Sequence, residues 1–452
     1  MDRWASGIDT AWLQLEQPTN RMVVHGILFC EGPVDLDALR ERVQDRWVAA
    51  YPGLRQRPTW TVGQLGPARW VDAAPDLDEH VRTVALPAPG DDAALARHVG
   101  AAMSEPLPAD RPWWSLHLVT GYRGDGSALL VNIHHGLADG VALNHLFHVL
   151  ADEPAAEGTP TAYAEAPRRP RRAHDWRLLH REARQRVADL RGKVRAAGTS
   201  EGAAELRATG RAVRTSTAML TRPPQDPPSA LQGRPGPAKS ARWTSMVPLE
   251  TVKAAGKPAG GSVNDVLCAA IAGALREFLG ENTPRLRAVM PINMRPLDRP
   301  ISDELGNEVG LVLPPLPTDE PDPGRRVERV HAAMATIKRT DQALATFAGI
   351  AGSGHGRPEW TRALVARYAT TSSVIISNVP GPVAPLTIAG TRVRDALFWV
   401  PCSGDLALGV SILSYAGRVR LGVRADTAIL GGEAGVDRFV AALDAQLASL
   451  CE

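Results

Sequence analysis

The chain has 452 residues, 44% of them hydrophobic, and a net charge of +2. This length predicts two domains or a pseudo-symmetric pair rather than one small core, and the near-neutral charge points to no particular class of partner. Residues 1–20 lack a signal-peptide pattern and no apolar run approaches the roughly 18 residues of a membrane span, so we expect a cytoplasmic chain. The four cysteines are far apart and form no CxxC pair, which predicts reduced, mostly buried thiols.

The first third of the chain contains both predicted strands and predicted helices. Residues 4–13, with two tryptophans and one aspartate, are expected to precede any regular element. The elements predicted after them are a strand at 22–29, a helix at 36–47 capped by Asp35, a helix at 93–103, a strand at 114–120 and a strand at 128–133. Residues 1–155 therefore predict an α+β unit.

Two histidines follow the last of these strands. His134 and His135 come at its end, Asp139 and Gly140 come shortly after them, and a helical pattern of apolar residues starts near Leu143. A side chain at such a junction can face a cleft while the core fixes its backbone, which suits catalysis.

Each of these residues also has a purely structural interpretation. Asp139 fits the N-cap of the helix, Gly140 fits a turn, and a histidine at a strand end is often a hydrogen-bonded structural group. Zinc is a weaker alternative because no third ligand lies at a familiar spacing, and His145 and His148 on the next helix fit core or surface positions. We therefore expect no metal.

Residues 156–238 differ in composition from the rest. Between 168 and 214 there are fourteen Arg and Lys against five Asp and Glu, a local charge of +9 that leaves −7 on the remaining chain. A solvated helical linker and a surface that attracts anionic lipid headgroups or CoA phosphates both remain open. Nucleic acid is not expected, because no aromatic interleaving or known motif accompanies the charge.

The part from 239 to 452 predicts a second α+β unit. Ser262 and Asp265 form a capping-box pattern at the start of a helix that ends before Gly280. The other predicted elements are strands at 289–293, 309–313 and 373–379, helices at 325–339 and 358–369, a hairpin of 406–414 with 418–425, and a final helix at 436–447.

The string His-His-x-x-x-Asp-Gly at 134–140 resembles the signature of CoA-dependent acyltransferases, which include chloramphenicol acetyltransferase, peptide-synthetase condensation domains and bacterial wax ester synthase/diacylglycerol acyltransferases. Further motifs resemble the last of these families and follow its order, so the resemblance covers about residues 4–447. They are Gly7–Trp12, Pro18–Met22, Gly261–Leu267, Pro291–Arg295, Leu305–Asn307, Ser377–Pro382 and the positions Ser411, Tyr415 and Gly417.

This resemblance implies a fold and a reaction. The fold is an α/β sandwich of two chloramphenicol-acetyltransferase-like halves, 1–155 and 239–452, joined by the basic linker 156–238, with a substrate tunnel between the halves. The reaction is transfer of a long-chain fatty acyl group to a fatty alcohol or a diacylglycerol, forming wax ester or triacylglycerol. Acyl-CoA is the implied co-substrate, and no bound cofactor is expected.

The family pattern assigns His135 as the general base that takes the hydroxyl proton, a role that suits an imidazole whose unperturbed pKa lies near neutrality. His134 is then a supporting group. We expect Asp139, next to Gly140, to pair with Arg295 and hold the loop rather than to accept a proton.

Five further positions are candidates for binding substrate or supporting the site. Asn264 and Asp265 resemble the family's second functional pair, with a helix cap as the equally open alternative, and Asn264 suits an oxyanion donor. Ser377 and Asn378 are weaker candidates for lining the site. The family's Pro-Leu-Trp element has a second Trp before Trp114, and this bulkier residue is expected to affect the choice of alcohol or acyl chain.

Two other functions remain open. A stand-alone condensation-type enzyme would use a carrier-protein thioester or an amine acceptor, and its need for a phosphopantetheinyl carrier would distinguish it. A non-catalytic relative would bind lipid droplets through the basic linker, but the intact His135, Asp139 and Gly140 argue against it. For the enzyme itself, the linker suggests peripheral attachment at the inner membrane or a lipid-droplet surface.

Overall fold

The computed structural model describes residues 2–60, 66–165 and 225–451. The basic segment 168–214 lies outside these residues, so its attachment to a membrane stays a prediction. Within the described ranges, no helix has both the length and the apolar character needed to cross a membrane. The four cysteines are free, and Cys30, Cys268 and Cys402 are buried, as predicted.

Both halves contain helices and strands. The helices in the described ranges are α1 (Gly7–Gln14), α2 (Leu36–Val43), α3 (Leu77–His80), α4 (Asp92–Ser104), α5 (Gly140–Leu150), α6 (Thr161–Ala164), α7 (Leu249–Gly256), α8 (Val263–Leu279), α9 (Pro323–Ile337), α10 (Gln342–Ser353), α11 (Pro358–Ala369) and α12 (Gly432–Cys451). The strands are β1 (Arg3–Trp4), β2 (Val23–Cys30), β3 (Gln56–Thr59), β4 (Arg69–Asp72), β5 (Val81–Ala85), β6 (Trp114–Tyr122), β7 (Gly126–His134), β8 (Lys239–Trp243), β9 (Val247–Pro248), β10 (Leu286–Asn293), β11 (Val309–Val312), β12 (Pro315–Leu316), β13 (Val374–Pro380), β14 (Thr387–Ile388), β15 (Thr391–Trp399), β16 (Leu408–Tyr415) and β17 (Arg418–Asp426).

The strands form two large mixed sheets and one small sheet. The first large sheet has the order β14-β15-β2-β7-β6-β5, and the second has the order β11-β10-β13-β16-β17-β8, with β12 and β9 paired beside it. A three-stranded sheet, β1-β4-β3, lies near the N-terminus. Helices pack on the large sheets, which confirms the predicted α+β class.

One strand pair crosses between the halves. β15 belongs in sequence to the C-terminal half, yet it pairs antiparallel with β2, so that Trp399 lies opposite His25. The boundaries predicted at 155 and 238 therefore do not separate the two sheets, because residues 387–399 complete the N-terminal one.

Several predicted elements are confirmed. The strand before the histidines is β7, the helix after them is α5, and the capping box of Ser262 and Asp265 opens α8. Helix α11 begins and ends as predicted, and the β16–β17 hairpin turns at Ala416 and Gly417, both with positive φ.

The expectation that residues 4–13 precede any regular element is wrong. Residues Gly7–Gln14 form α1, whose N-cap Ser6 accepts a hydrogen bond from the Asp9 amide at 3.0 Å. All eight residues of α1 are buried, so the helix has no polar stripe from which a helical period could be read.

A glycine sets the distance between α5 and the first sheet. A Cβ at Gly26 of β2 would lie 2.6 Å from Phe147 Cζ and 3.0 Å from Leu143 Cδ2, both on α5. The helix that begins at the histidine motif therefore packs directly on the backbone of β2.

Replacing this glycine should destabilise the fold. We expect Gly26→Ala to lower the free energy of unfolding by roughly 1–3 kcal/mol, because the added methyl overpacks the core. Gly349→Ala is the control. A Cβ in that part of α10 would have no atom within 4 Å, so this substitution should stabilise the helix by about 0.5–1 kcal/mol. The midpoints of thermal unfolding measure both. A Gly26→Ala midpoint equal to that of the wild type would show that the contact is not tight.

Candidate active site

A mostly apolar cleft lies where the two halves meet. It encloses about 950 Å³ of space, part of which is open solvent. Both halves line it. The lining residues are Trp12, Val24, His135, Asp139, Gly140, Val141, Val289, Pro291, Asn293, Val309, Leu311, Val365, Tyr368, Ala369, Ile375, Ser377, Asn378, Val379, Phe398, Val400, Pro401, Ser403 and Leu406.

His135 lies on the wall of this cleft, one residue beyond the end of β7. Its backbone amide donates to the Met22 carbonyl at 2.6 Å, which fixes the start of the loop. Its ring stacks on Trp12 of α1, with 4.3 Å between ring centroids and 19° between ring planes. The base predicted from sequence therefore faces the cleft from a position held by a strand and a helix.

The Nδ1 atom of His135 contacts a residue of the other half. Nδ1 lies 2.8 Å from Asn307 Oδ1, and Asn307 Nδ2 donates to the His135 carbonyl at 2.7 Å. Asn307 Nδ2 also donates to Asp9 Oδ1 at 2.7 Å, and the Asn307 amide donates to the same oxygen at 3.0 Å. Asp9, Asn307 and His135 thus form a continuous hydrogen-bonded chain.

The loop that contains Asn307 has two consecutive residues with positive φ. Leu305 and Gly306 both have positive φ, +58° and +74°, and the turn brings the Gly306 amide within 3.0 Å of the Leu137 carbonyl. A side chain at Gly306 would approach the Asp9 carboxylate at 3.5 Å. The Leu-Gly-Asn motif therefore docks on the histidine loop through its backbone.

Burial sets the protonation state of His135. Part of its ring faces the cleft, but the residue lies deep in the protein, and loss of solvation lowers the pKa of His135 below its usual value. The Asp139 carboxylate, the His135 carbonyl and Asn307 act in the opposite direction without reversing the shift. The imidazole is therefore neutral near neutral pH, as a proton acceptor must be.

His134 has different surroundings. The Gly136 amide donates to His134 Nδ1 at 3.0 Å, so the ring proton lies on Nε2, which faces Glu16 Oε2 at 3.4 Å. Burial acts to raise the pKa of Glu16, but contacts with His134, the Met22 amide and Arg21 outweigh it and lower that pKa. His134 is buried and is not among the residues that line the cleft, which places it in the support of the loop.

The predicted pairing of Asp139 with Arg295 is confirmed. Arg295 Nη1 lies 3.0 Å from Asp139 Oδ1, and both side chains are almost fully buried. Arg295 also pairs with Glu308 at 3.4 Å and donates to the Gly306 carbonyl at 3.1 Å. Burial acts to lower the pKa of Arg295, but the two carboxylates outweigh it and raise that pKa.

Asp139 has a second function at the same time. Its Oδ1 accepts from the Ala142 amide at 2.9 Å as the N-cap of α5, and its Oδ2 accepts from the Glu308 amide at 3.1 Å. The N-cap and the ion-pair interpretations therefore both hold. Gly140 lines the cleft beside Asp139, where a Cβ would lie 2.9 Å from Val379 Cγ2.

The remaining candidates separate into two groups. Ser377 and Asn378 line the cleft. Asn264 and Asp265 are not among its lining residues: Asn264 Oδ1 accepts from Asn378 Nδ2 at 3.3 Å, and Asp265 completes the capping box and contacts His331 Nδ1 at 3.1 Å. Asp265 thus stabilises the start of α8. Asn264 contacts Asn378, which lines the cleft.

Trp114 lies in the N-terminal core rather than on the cleft. Its Nε1 donates to the Leu54 carbonyl at 2.9 Å and its ring contacts Trp47 and His80. The extra tryptophan of this element, Trp113, packs on His134 with 4.6 Å between centroids. Trp113, which departs from the family's Pro-Leu-Trp pattern, therefore contacts His134 of the histidine motif and is not among the residues that line the cleft.

No role is predicted from sequence for Trp12, Asp9 or Asn307, although all three lie in motifs that carry the family resemblance. Within the described ranges, no group of three His, Cys, Asp or Glu side chains is arranged to hold a metal ion.

The sequence matches two family models. Residues 5–267 match the wax ester synthase/diacylglycerol acyltransferase catalytic domain, and residues 305–446 match the C-terminal domain of the same family. A putative diacylglycerol O-acyltransferase of Mycobacterium tuberculosis is 31% identical over 438 residues, covering 92% of this chain and 93% of that protein. A probable diacylglycerol O-acyltransferase of the same organism is 30% identical over 400 residues, covering 82% of this chain and 81% of that protein.

Solved structures share the fold. The wax ester synthase/diacylglycerol acyltransferase of Marinobacter aquaeolei superposes with a TM-score of 0.65 at 24% identity, covering 99% of this chain and 98% of that one. The first condensation domain of the calcium-dependent antibiotic synthetase superposes with a TM-score of 0.64 at 18% identity, covering 99% and 96%. The architecture of two joined halves is therefore common to ester-forming and condensation enzymes.

The buried ion pair predicts a strong effect of a single substitution. Arg295→Ala should destabilise the protein by about 3–5 kcal/mol, because it leaves Asp139 and Glu308 buried without their counter-ion. Arg285→Ala is the control: it removes a partly exposed pair with Asp319 and should cost about 0–1 kcal/mol. Thermal unfolding of both variants measures the difference. Equal midpoints for the two would show that the buried pair has no special importance for the fold.

Proposed function

The chain belongs to the wax ester synthase/diacylglycerol acyltransferase family and is an acyltransferase, and we propose that acyl-CoA is its donor and His135 its general base. The acceptor is a fatty alcohol or a diacylglycerol, and the product is a wax ester or a triacylglycerol. The observation that carries this proposal is the His135 imidazole on the wall of an apolar cleft, with its Nδ1 hydrogen-bonded to Asn307 so that Nε2 remains for the substrate.

That geometry supports the following reaction. The alcohol oxygen attacks the thioester carbonyl carbon while His135 Nε2 takes the hydroxyl proton. The carbonyl π electrons move to oxygen and form a tetrahedral oxyanion, for which the Ser377 hydroxyl and the Asn378 amide are donors on the cleft wall. When the carbonyl re-forms, the C–S bond breaks, and the proton on His135 passes to the thiolate to give CoA and the ester.

The apolar walls have two effects on this reaction. They bind the aliphatic chains of donor and acceptor, and burial of apolar surface contributes about 25 cal/mol per Å². They also exclude water from the thioester, which would otherwise be hydrolysed. Val289, Leu311 and Ile375 are examples of such wall residues from three different strands or their flanks.

The direct test is CoA release from palmitoyl-CoA with hexadecanol, with a diacylglycerol and without acceptor. We expect release to depend on an acceptor and to fall roughly 10²- to 10⁴-fold in His135→Ala, since that is the usual contribution of a positioned base. His98→Ala, which changes a histidine of α4 outside the cleft, should keep the wild-type rate. A wild type that acts only on a carrier-protein thioester would replace this proposal with the condensation-type alternative.

The pH dependence provides a second test. His135 is active as a base only when deprotonated, and its pKa is lowered from 6.5 by burial. The midpoint of the acid limb should therefore lie below pH 6.5, where His135 becomes protonated. Measurement of kcat/KM between pH 5 and 8 reports this acid limb. A midpoint above pH 6.5 would contradict the buried, neutral histidine.

A further inference from the structure

A pair of residues outside the histidine motif connects to the base. Asp9 lies on α1 and Asn307 on the loop before β11, 298 residues apart in sequence, and both are buried. Asn307 lies between the Asp9 carboxylate and the His135 ring. Acyl transfer requires His135 to present Nε2 as the acceptor, and this pair contacts the opposite side of the ring.

The orientation of the Asn307 amide follows from its neighbours. Its Nδ2 contacts Asp9 Oδ1 and the His135 carbonyl, each at 2.7 Å. A carboxylate and a carbonyl can only accept hydrogen bonds, so the group between them must be the NH₂ of the side chain. The other end of the amide, Oδ1, is then the atom that faces His135 Nδ1 at 2.8 Å.

This orientation determines where the imidazole proton lies. Asn307 Oδ1 can only accept, so Nδ1 must donate and carry the proton of the neutral ring. Nε2 is left with its lone pair, and no described residue hydrogen-bonds to it. We propose that Asp9 and Asn307 are positioning residues that hold His135 in the Nδ1–H tautomer, with Nε2 as the proton acceptor.

The ring plane is fixed separately. Trp12, three residues after Asp9 on the same helix, stacks on the imidazole. The stack restrains the plane of the ring, and Asn307 restrains its rotation within that plane. Helix α1 and the loop 305–308 together therefore fix the position of Nε2, which a base needs because misplacement by about 1 Å can cost 10²-fold in rate.

Several charged or titratable groups lie near His135. They are Asp9 on α1, His134 beside it, Asp139 at the start of α5, Arg295 after β10 and Glu308 before β11. Single substitutions at 307 leave all of these charges in place. A change in the pH profile of such a variant therefore reports on the hydrogen bond at Nδ1.

Three variants test the proposal through kcat and the acid limb of the rate. Asn307→Ala removes the acceptor of Nδ1–H, so we expect kcat to fall roughly 10- to 100-fold, as when a partner that orients a ligating histidine is removed, and the acid limb to move to lower pH. The exchange Asp9→Asn with Asn307→Asp places the carboxylate directly at Nδ1, and should move the limb to higher pH than in the wild type. Asp9→Asn alone should give a smaller loss of kcat than Asn307→Ala, because an amide at 9 can still accept from Asn307.

Asn132→Ala is the matched control. Asn132 Oδ1 lies 2.7 Å from the Nδ1 of a different buried histidine, His25, and Asn132 lies on β7, the strand that leads to His135. Its removal breaks the same kind of buried His–Asn hydrogen bond without touching the base. The thermal midpoint should fall as in Asn307→Ala, but the acid limb should stay where it is in the wild type.

A direct measurement separates this inference from the proposed reaction, on which it rests. Nitrogen-15 spectra of histidine-labelled protein, with the His135 signals identified by their loss in His135→Ala, show which ring nitrogen carries the proton. A protonated Nδ1 is expected in the wild type. A protonated Nε2, or an Asn307→Ala enzyme with unchanged kcat and acid limb, would overturn the proposal even if acyl transfer itself is confirmed. Absence of acyl transfer with a protonated Nδ1 would refute the proposed reaction alone.

Discussion

The site depends on a buried charge cluster that joins two loops from different halves. Arg295 lies between Asp139 and Glu308, and backbone groups add a bond from Arg295 to the Gly306 carbonyl and one from the Glu308 amide to Asp139. Removing such charges from water costs free energy. The cluster therefore contributes to the specificity of the folded conformation as much as to its stability. It fixes the register of the 305–308 loop against the histidine loop, and through that register it sets the position of Asn307 against His135. Changes to the cluster should therefore affect stability and activity together.

The two halves contribute different parts of the function. The N-terminal half supplies His135 and the tryptophan that stacks on it, whereas the C-terminal half supplies the side-chain amide at His135 Nδ1 and most of the apolar wall. Asn144 of α5 also donates to the Pro380 carbonyl at 2.9 Å, so the Asn-Val-Pro motif docks on the helix that follows the histidines. The family motifs that lie far from one another in sequence therefore meet at one interface, which explains why membership could be inferred from their order.

The local parts of this structure were predictable from sequence and the long-range parts were not. The junction of β7 and α5 follows from an apolar run, a capping aspartate and a helical period, which are signals within 25 residues. The contact between Asp139 and Arg295 needed the family resemblance. The contact of Asp9 with Asn307 had no local signal, because it joins a fully buried helix to a loop 298 residues away. Trp114 shows the converse: its position in a family motif suggested a place beside the substrate, but packing put it in the core.

The crossing strand β15 has a consequence for how the chain is made. Before residues 391–399 have been synthesised, β2 is an unpaired edge strand of the first sheet. All eight residues of β2 are buried in the complete fold. An exposed apolar edge of this kind favours aggregation, and pairing over such a sequence distance is slow. The first sheet is therefore incomplete until residues 391–399 of the other half have been made, and a fragment that ends before them would leave β2 unpaired on one side.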